Sequence, residues 1–556
     1  MPFGSSRSLL LFLASFVYLA VPAFLVSRGV RHFELFSLAA QLGVLLPAVW
    51  FALQPPGGGV VSRWRNKPSR RWLLVLLFVM VCLGFSYYIG PGSCADEAAY
   101  KFQAEVFASF HMKAAAPPGS TAVALDVPLA LAFKHFILSN TGWFTKYPMG
   151  WPLILAIGER FNAGWAVAPI LGGVLLLVIA LIAKEAFGGD AMLPAVWLAV
   201  LSPYVLSEST GRMSHALCGL LVALATLFYL RGIRTNRLSQ FALMFATLAA
   251  SYHVRSFTTF LVTGVLVSGL LLHYRSNLRM LVRVLPIAVL AGVISVGSVL
   301  AYNHFYTGHW LMSPYELYEP AVFKTTAREI VKNVLEARRY SIQSTLLFTF
   351  PFVFLLAGYG YWINRHSPAV KILALIFPAI VLAHLFWIYT GTPIVGERFF
   401  YEGYFSVVIL AAGGLQALLA TWNTPRVALL QAAAALTLLQ IGMTVVGGNE
   451  MTRHYRPYLD VQKLAAEEQD CHCAVFLKST EDLYIFDGSY LNMNTPAWRS
   501  ANVFYLNDPG PNERSYWAAL FGWRDWVVLS FDVQKQRAVS ESYRSLPVVA
   551  RQSWRR

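Results

Sequence analysis

At 556 residues the chain is long enough for several water-soluble domains, but 57% of its residues are hydrophobic, only 13% are charged, and its mean hydropathy is +0.53. So little charge cannot cover a soluble protein of this size. The net charge of +16 does not point to a nucleic-acid ligand either, because the basic residues punctuate apolar blocks instead of forming one patch, as cytoplasmic loops do in membrane proteins.

Leu9–Val26, Phe33–Leu53, Trp72–Ile89, Trp165–Ile182 and Phe257–Leu272 are each about long enough to cross a hydrocarbon core. Amides in lipid must be bonded within their own segment, so these blocks are expected as helices. The first is too long for a cleaved signal peptide and lacks its small-residue site, so it is expected to stay. With the N-terminus inside, two helices lead to a basic loop, 54–71, holding Arg63, Arg65, Lys67, Arg70 and Arg71. The third helix exits near Gly90 and places segment 91–163 outside. Further helices are expected near 164–183, 191–207, 215–231, 239–252, 256–273, 281–302, 344–362, 370–390, 401–421 and 427–446, about thirteen in all. Loops 231–238, 274–283 and 363–371 then face the cytoplasm, and 303–343 and 391–400 face outward.

The tail is expected outside. It alternates a polar helical run (Tyr458–Gln469), short β-rich runs (Ala474–Leu477, Leu483–Phe486, Val503–Leu506, Trp526–Phe531) and an amphipathic stretch, Ser515–Trp523. This reads as a small α/β domain. The organisation expected is therefore an N-terminal helix pair with its loop (1–71), a transmembrane module (72–446) and an extracytoplasmic domain (447–556), with no short internal repeat. Five cysteines make no disulfide framework. Cys471, His472 and Cys473 are closely spaced but lack a second ligand pair for a metal.

Four groups of residues stand at the outer mouths. Asp96 and Glu97 open a helix in which Phe102, Val106 and Phe110 recur at spacing four, giving one apolar stripe and an expected position in the interface plane. Asp96 there is either an N-cap or a carboxylate that accepts a proton from a sugar-acceptor hydroxyl or holds a divalent metal; Tyr100 lies one turn on. Lys146 and Tyr147 follow in Phe144–Pro152, where Pro148 and Pro152 suggest a rigid, non-helical entry. Lys146 is either an interface anchor or a point charge for a lipid phosphate. Glu208, Arg212 and His215 cluster between two helices, and Arg255 begins another. An outward arginine near hydrocarbon suits either a placed phosphate or a headgroup. Tyr302, Asn303, Pro314, Tyr315 and Gly396-Glu397-Arg398-Phe399-Phe400 repeat the polar and aromatic theme on the same side, which suggests one outward site.

Together these motifs resemble the GT-C glycosyltransferases, most of all the lipid A aminoarabinose transferases, and more distantly the protein O-mannosyltransferases. The resemblance rests on Asp96-Glu97, Lys146-Tyr147-Pro148, Ser207–His215, Arg255, the Tyr302–Tyr315 loop and Gly396–Phe400. It departs in the two extra helices before the acidic loop and in Ser214-His215, where many relatives are acidic. It implies a GT-C fold and transfer of a sugar, with inversion, from a polyprenyl-phosphate donor to an envelope glycolipid, glycan or protein on the outer face of a bacterial inner membrane. Asp96 would be the base and Glu97 secondary. Lys146, Tyr147, Arg255 and Arg398 would hold the departing phosphate. No organic cofactor is implied, and a divalent metal is left open. Two other classes remain: a transporter or flippase, and a polysaccharide polymerase or ligase acting on lipid-linked glycans.

Overall fold

The computed structural model describes residues 68–89, 94–120, 127–139, 141–320, 351–386, 396–421 and 455–543, apart from Tyr484, with a few positions between 341 and 349. The first two expected helices, most of the basic loop 54–71 and the expected span 427–446 lie outside the described residues. In chain order, α1 (Pro68–Ile89) precedes α2 (Ala95–Ala108), strands β1 (Phe136–Ser139) and β2 (Gly142–Thr145), and α3 (Gly150–Glu159). Then come α4 (Gly164–Phe187), α5 (Met192–Val200), α6 (Pro203–Glu208), α7 (His215–Thr235), α8 (Leu238–Tyr252), α9 (Ser256–His273), α10 (Leu278–Thr307) and α11 (Pro314–Tyr318). They are followed by α12 (Pro351–Asn364), α13 (Pro368–Leu385), α14 (Tyr401–Thr421), β3 (Cys473–Lys478), β4 (Val503–Asn507), α15 (Arg514–Leu520), β5 (Trp526–Asp532) and β6 (Arg537–Tyr543).

The chain divides into two compact units. One is helical and comprises Met1–Tyr88, Ala168–Val296 and Thr325–Glu450; the other gathers Ile89–Val167, Gly297–Lys324 and Met451–Arg556. Among the described residues, α4, α7, α9, α10 and α13 are long and apolar enough to cross a membrane. On α10, Val282, Leu285, Val289, Val293 and Ile294 are all exposed. A continuous apolar face of that kind belongs in lipid, and the chain is an integral membrane protein.

Within the helical unit, local chemistry explains where helices stop. The expected single helix 191–207 is two, because Pro203 pushes Ser202 into an extended conformation (φ −79°, ψ 116°) and then starts α6 at its first position. Asn236 ends α7 in the left-handed region. Helices α12 and α14 pack backbone against backbone: a Cβ on Gly360 would lie 2.1 Å from the Leu410 carbonyl, and one on Gly414 2.1 Å from that of Leu356. Small residues allow such close approach where no hydrophobic effect drives association.

The second unit holds two sheets. β1 and β2 form an antiparallel hairpin in the register Phe136↔Thr145, which the sequence reading did not anticipate. The other sheet has strand order β4-β3-β5-β6, with β3 parallel to both neighbours and β6 antiparallel on the edge. Three of the expected strands correspond to β3, β4 and β5. The fourth, Leu483–Phe486, is no strand: Phe486 N–H donates to Thr480 Oγ1 and Thr480 N–H to the Phe486 carbonyl, which folds 480–486 into a closed loop. β6 was missed because it is a polar, exposed edge.

Three further expectations are corrected. Phe102 and Val106 are buried, but Phe110 is 89% exposed and lies beyond the end of α2 with φ +60°. α2 buries Ala95, Glu97, Ala98, Tyr100, Gln103 and Phe107 as well, so it is enclosed by protein and not one-sided at an interface. The Pro148–Pro152 entry is partly helical, since Pro152 sits in the first turn of α3, where its missing N–H costs nothing. Cys471 and Cys473 are bonded to each other, which removes both thiolates from any metal site.

Candidate functional site

Each unit carries a polar cluster. In the second unit the cluster is built on the start of α2, the end of the hairpin and α11. The N-cap of α2 is Cys94, so Asp96 is not the cap; with Glu97 it occupies the first turn, where the helix dipole favours anions. The Tyr147 hydroxyl donates to Asp96 Oδ1, and His135 Nε2 lies 3.9 Å from the same oxygen. Tyr147 is fixed from behind, because the Tyr302 hydroxyl donates to its carbonyl at 2.8 Å. Tyr100 packs on its ring with centroids 4.3 Å apart. Burial first, and then the charge of Asp96, push the Tyr147 phenol well above its ordinary value, so it stays a donor.

Lys146 is 3% exposed, and a buried ammonium needs compensation. It receives it from Glu319, whose Oε2 accepts at 3.0 Å, and from the rings of Tyr315 and Tyr318, 4.4 and 4.8 Å from Nζ. One layer further in, Gln103 ties α2 to β2 by accepting from Thr145 N–H at 3.1 Å. Its amide donates to the Met112 carbonyl, which also accepts from Tyr306 at 2.5 Å. Glu97 is 5% exposed, unlike Asp96, whose side chain is 19% exposed. Tyr315 lies edge-on to Tyr147 at 6.5 Å.

The helical unit holds the second cluster. Glu402, in the first turn of α14, is hydrogen-bonded to His215 Nδ1 at 2.7 Å and ion-paired with Arg255, whose Nε lies 2.8 Å from the same oxygen. His215 and Glu402 are both fully buried. The Arg255 and Arg398 guanidinium carbons lie 5.1 and 5.4 Å from the Phe399 ring centroid, and the His384 ring stacks on the same ring. His215 Nε2 and Glu402 Oε2 have no hydrogen-bond partner among the described residues. Glu397 is also fully buried. Its carboxylate accepts from Ser341 at 2.5 Å and its N–H donates to Thr345 at 2.9 Å, so it braces the turn before α14. Gly396, at φ +81°, is set against Tyr204, whose ring a Cβ would approach to 2.9 Å. Arg212 is buried in the link between α6 and α7, and Glu208 closes α6.

Of the residues singled out from the sequence, Asp96, Tyr100, Lys146, Tyr147 and Tyr315 share one cluster, while His215, Arg255, Glu397 and Arg398 stand around Phe399 and the start of α14. Tyr147 was assigned to phosphate, but its hydroxyl is turned to Asp96. Four residues were missed: His135, Tyr318, Glu319 and Glu402. Glu402 had a signal, one turn beyond Glu397-Arg398, and the others had none. Among the described residues no three His, Cys, Asp or Glu side chains converge on a metal position.

No family model matches the chain, and no curated protein does. Among solved structures the chain is similar to GT-C glycosyltransferases. They include ArnT from Cupriavidus metallidurans bound to undecaprenyl phosphate, at 12% identity and a TM-score of 0.49, covering 86% of this chain and 99% of that one. Another is the oligosaccharyltransferase AglB from Archaeoglobus fulgidus in complex with an inhibitory peptide and a dolichol-phosphate, at 11% identity and a TM-score of 0.42, covering 87% and 76%. A third is the arabinofuranosyltransferase AftD from Mycobacteria, at 14% identity and a TM-score of 0.46, covering 85% and 38%. None of these scores reaches 0.5, and what this chain can do is set by its own two clusters.

Proposed function

We propose that the chain is a membrane glycosyltransferase that moves a sugar from a polyprenyl-phosphate donor to an envelope lipid, glycan or protein on the outer face of the membrane, with inversion and with Asp96 as base. The observation that carries this reading is the orientation of Asp96 by Tyr147 beside the buried ammonium of Lys146. A carboxylate that accepts from a phenol is held and aimed. It can take the proton of an acceptor hydroxyl as that oxygen attacks the anomeric carbon. The bond to the phosphate oxygen then breaks, and the leaving phosphate gains negative charge next to Lys146. Glu97 is assigned a supporting place in α2. Arg255 and Arg398 are assigned to phosphate on charge alone. Among the described residues no three His, Cys, Asp or Glu side chains gather at Asp96, and the proton transfer uses its carboxylate alone.

The test is Asp96→Asn. The amide keeps the shape and still accepts from Tyr147, but takes no proton at neutral pH. Transfer from a radiolabelled polyprenyl-phosphate-sugar extract is expected to fall by about 10²–10⁴-fold while the protein stays folded and binds donor. Near-normal transfer would remove Asp96 from the mechanism. One observation favours a second reading as a transporter or flippase, namely the Glu402–His215–Arg255 network inside the helical unit. A flippase would move labelled lipid across vesicles without consuming it, and Asp96→Asn would leave that movement intact.

A further inference from the structure

His135 precedes β1 with φ +71°, a left-handed conformation that is costly for any residue but glycine and a few polar types. Its surroundings enforce it. Its N–H donates to the Tyr318 hydroxyl at 2.9 Å and its carbonyl accepts from Lys146 N–H at 3.1 Å. The ring lies edge-on to Tyr147 at 5.6 Å and tilted against Tyr318 at 5.9 Å. The result is an imidazole whose Nε2 is 3.9 Å from Asp96 Oδ1, each side chain 19% exposed. Strained backbone of this kind persists where the surrounding structure over-determines it, and it concentrates at functional sites.

Among the described residues, several charged and titratable groups face the ring. α2 offers Asp96, with Tyr100 behind Tyr147. The segment after β2 offers Lys146 and Tyr147. α11 and the residue after it offer Tyr315, Tyr318 and Glu319, and Glu319 is engaged by Lys146. Lys134, its own neighbour, lies over Tyr490 at 5.7 Å. Burial holds the Tyr147 and Tyr318 phenols above their ordinary value, so both keep their protons. Among the described residues, Asp96 is a carboxylate within ion-pair reach of the ring.

We propose that His135 is the proton-accepting partner of Asp96 in sugar transfer, an inference that rests on the glycosyltransferase reading of Asp96. In the transfer step the O–H bond of the acceptor breaks to Asp96, and its oxygen forms the new bond to the anomeric carbon. The bond from that carbon to phosphate breaks, its electron pair leaving with the phosphate. The proton then passes from the Asp96 carboxyl to His135 Nε2 and on to water, which restores the carboxylate for the next turnover. An imidazole is more basic than a carboxyl group, so this handover runs downhill. One water or a small side-chain rotation spans 3.9 Å. His135 acts through Asp96 and is a positioning residue. When already protonated it pairs with Asp96 and cannot accept, so transfer is expected to fall toward acid pH.

The backbone dictates the variants. Asparagine and glycine tolerate the left-handed region, so His135→Asn removes the base without disturbing the turn, and His135→Gly leaves space for added imidazole. In the full-length protein, with a radiolabelled polyprenyl-phosphate-sugar extract of the source membranes as donor, His135→Asn is expected to lower kcat roughly 10- to 100-fold, less than losing the base itself. Donor KM is expected to hold and the acid limb of the pH profile to disappear. Imidazole in the buffer is expected to restore His135→Gly but not Asp96→Asn. Wild-type kcat and an unchanged acid limb in His135→Asn would overturn the proposal and leave the Asp96 reading standing. So would a loss confined to donor KM with no response to imidazole. Transfer by Asp96→Asn would overturn both.

Discussion

Two cations singled out from the sequence as phosphate candidates each meet a carboxylate in space. Lys146 meets Glu319, 173 residues away, at 3.0 Å, and Arg255 meets Glu402 at 2.8 Å. Neither pairing follows from hydropathy or spacing, because each joins segments far apart in the chain. A carboxylate neutralises a cation until a better anion arrives, so a phosphate must compete with it for the same charge. Lys146→Ala and Arg255→Ala are each expected to weaken binding of polyprenyl phosphate in nanodiscs by about tenfold or more, as loss of a charged hydrogen bond of about 1.5–3 kcal/mol requires. Unchanged binding by both would leave them as structural ion pairs with Glu319 and Glu402.

At the scale of elements, the long apolar helices were legible and the short polar ones were not. α7, α8, α9 and α14 lie within a few residues of their expected ranges because a long apolar run leaves little choice. The β1–β2 hairpin went unseen because Phe136–Leu138 and Gly142–Thr145 are buried on both faces and show no alternation. The same holds for the site: Asp96, Lys146 and Tyr147 announced themselves as polar residues at a mouth, whereas His135 is a lone histidine whose meaning depends on a turn. The sheet has its own buried pair. Asp508, after β4, accepts two hydrogen bonds from Arg514 on α15 at 2.8 and 2.7 Å, with 7% and 8% exposure. Burial raises the Asp508 carboxyl, but the Arg514 hydrogen bonds, the Gly510 N–H and the guanidinium charge outweigh it and leave the group below its ordinary value. A carboxyl depressed on folding stabilises the folded state above its unfolded pKa, and that contribution is lost as pH falls through the lower folded value. Thermal unfolding of the full-length protein should therefore show a loss below about pH 4 that is absent in Asp508→Asn. At neutral pH, Arg514→Met should cost about 3–5 kcal/mol, since it strands a buried carboxylate.

For the molecule as a whole, the expected sidedness makes a direct prediction. Loops 231–238 and 274–283 carry Arg231, Arg234, Arg237, Arg275, Arg279 and Arg283 and are expected in the cytoplasm, with Asp96 and residue 480 outside. Single cysteines at 236 and 277 should react with a membrane-impermeant maleimide only after the membrane is opened, and one at 480 without opening it. Labelling of 236 and 480 from the same side would undo the topology and with it the outer-face assignment of the chemistry.

The second unit is assembled from both halves of the chain, and that has a consequence in time. The Trp498 indole donates to the Ala115 carbonyl at 2.9 Å across 383 residues, and the Asn507 amide donates to the Leu129 and Ala132 carbonyls at 3.2 and 2.8 Å. A ribosome adding about 5–20 residues per second makes the early partners roughly 20–80 s before the late ones exist. Through that interval the segment bearing Asp96 and His135 has been synthesised but cannot complete its fold. A premature stop before Trp498 would leave those carbonyls without the donors that close over them, so the acidic motif depends on a reading frame kept open about 400 residues beyond it.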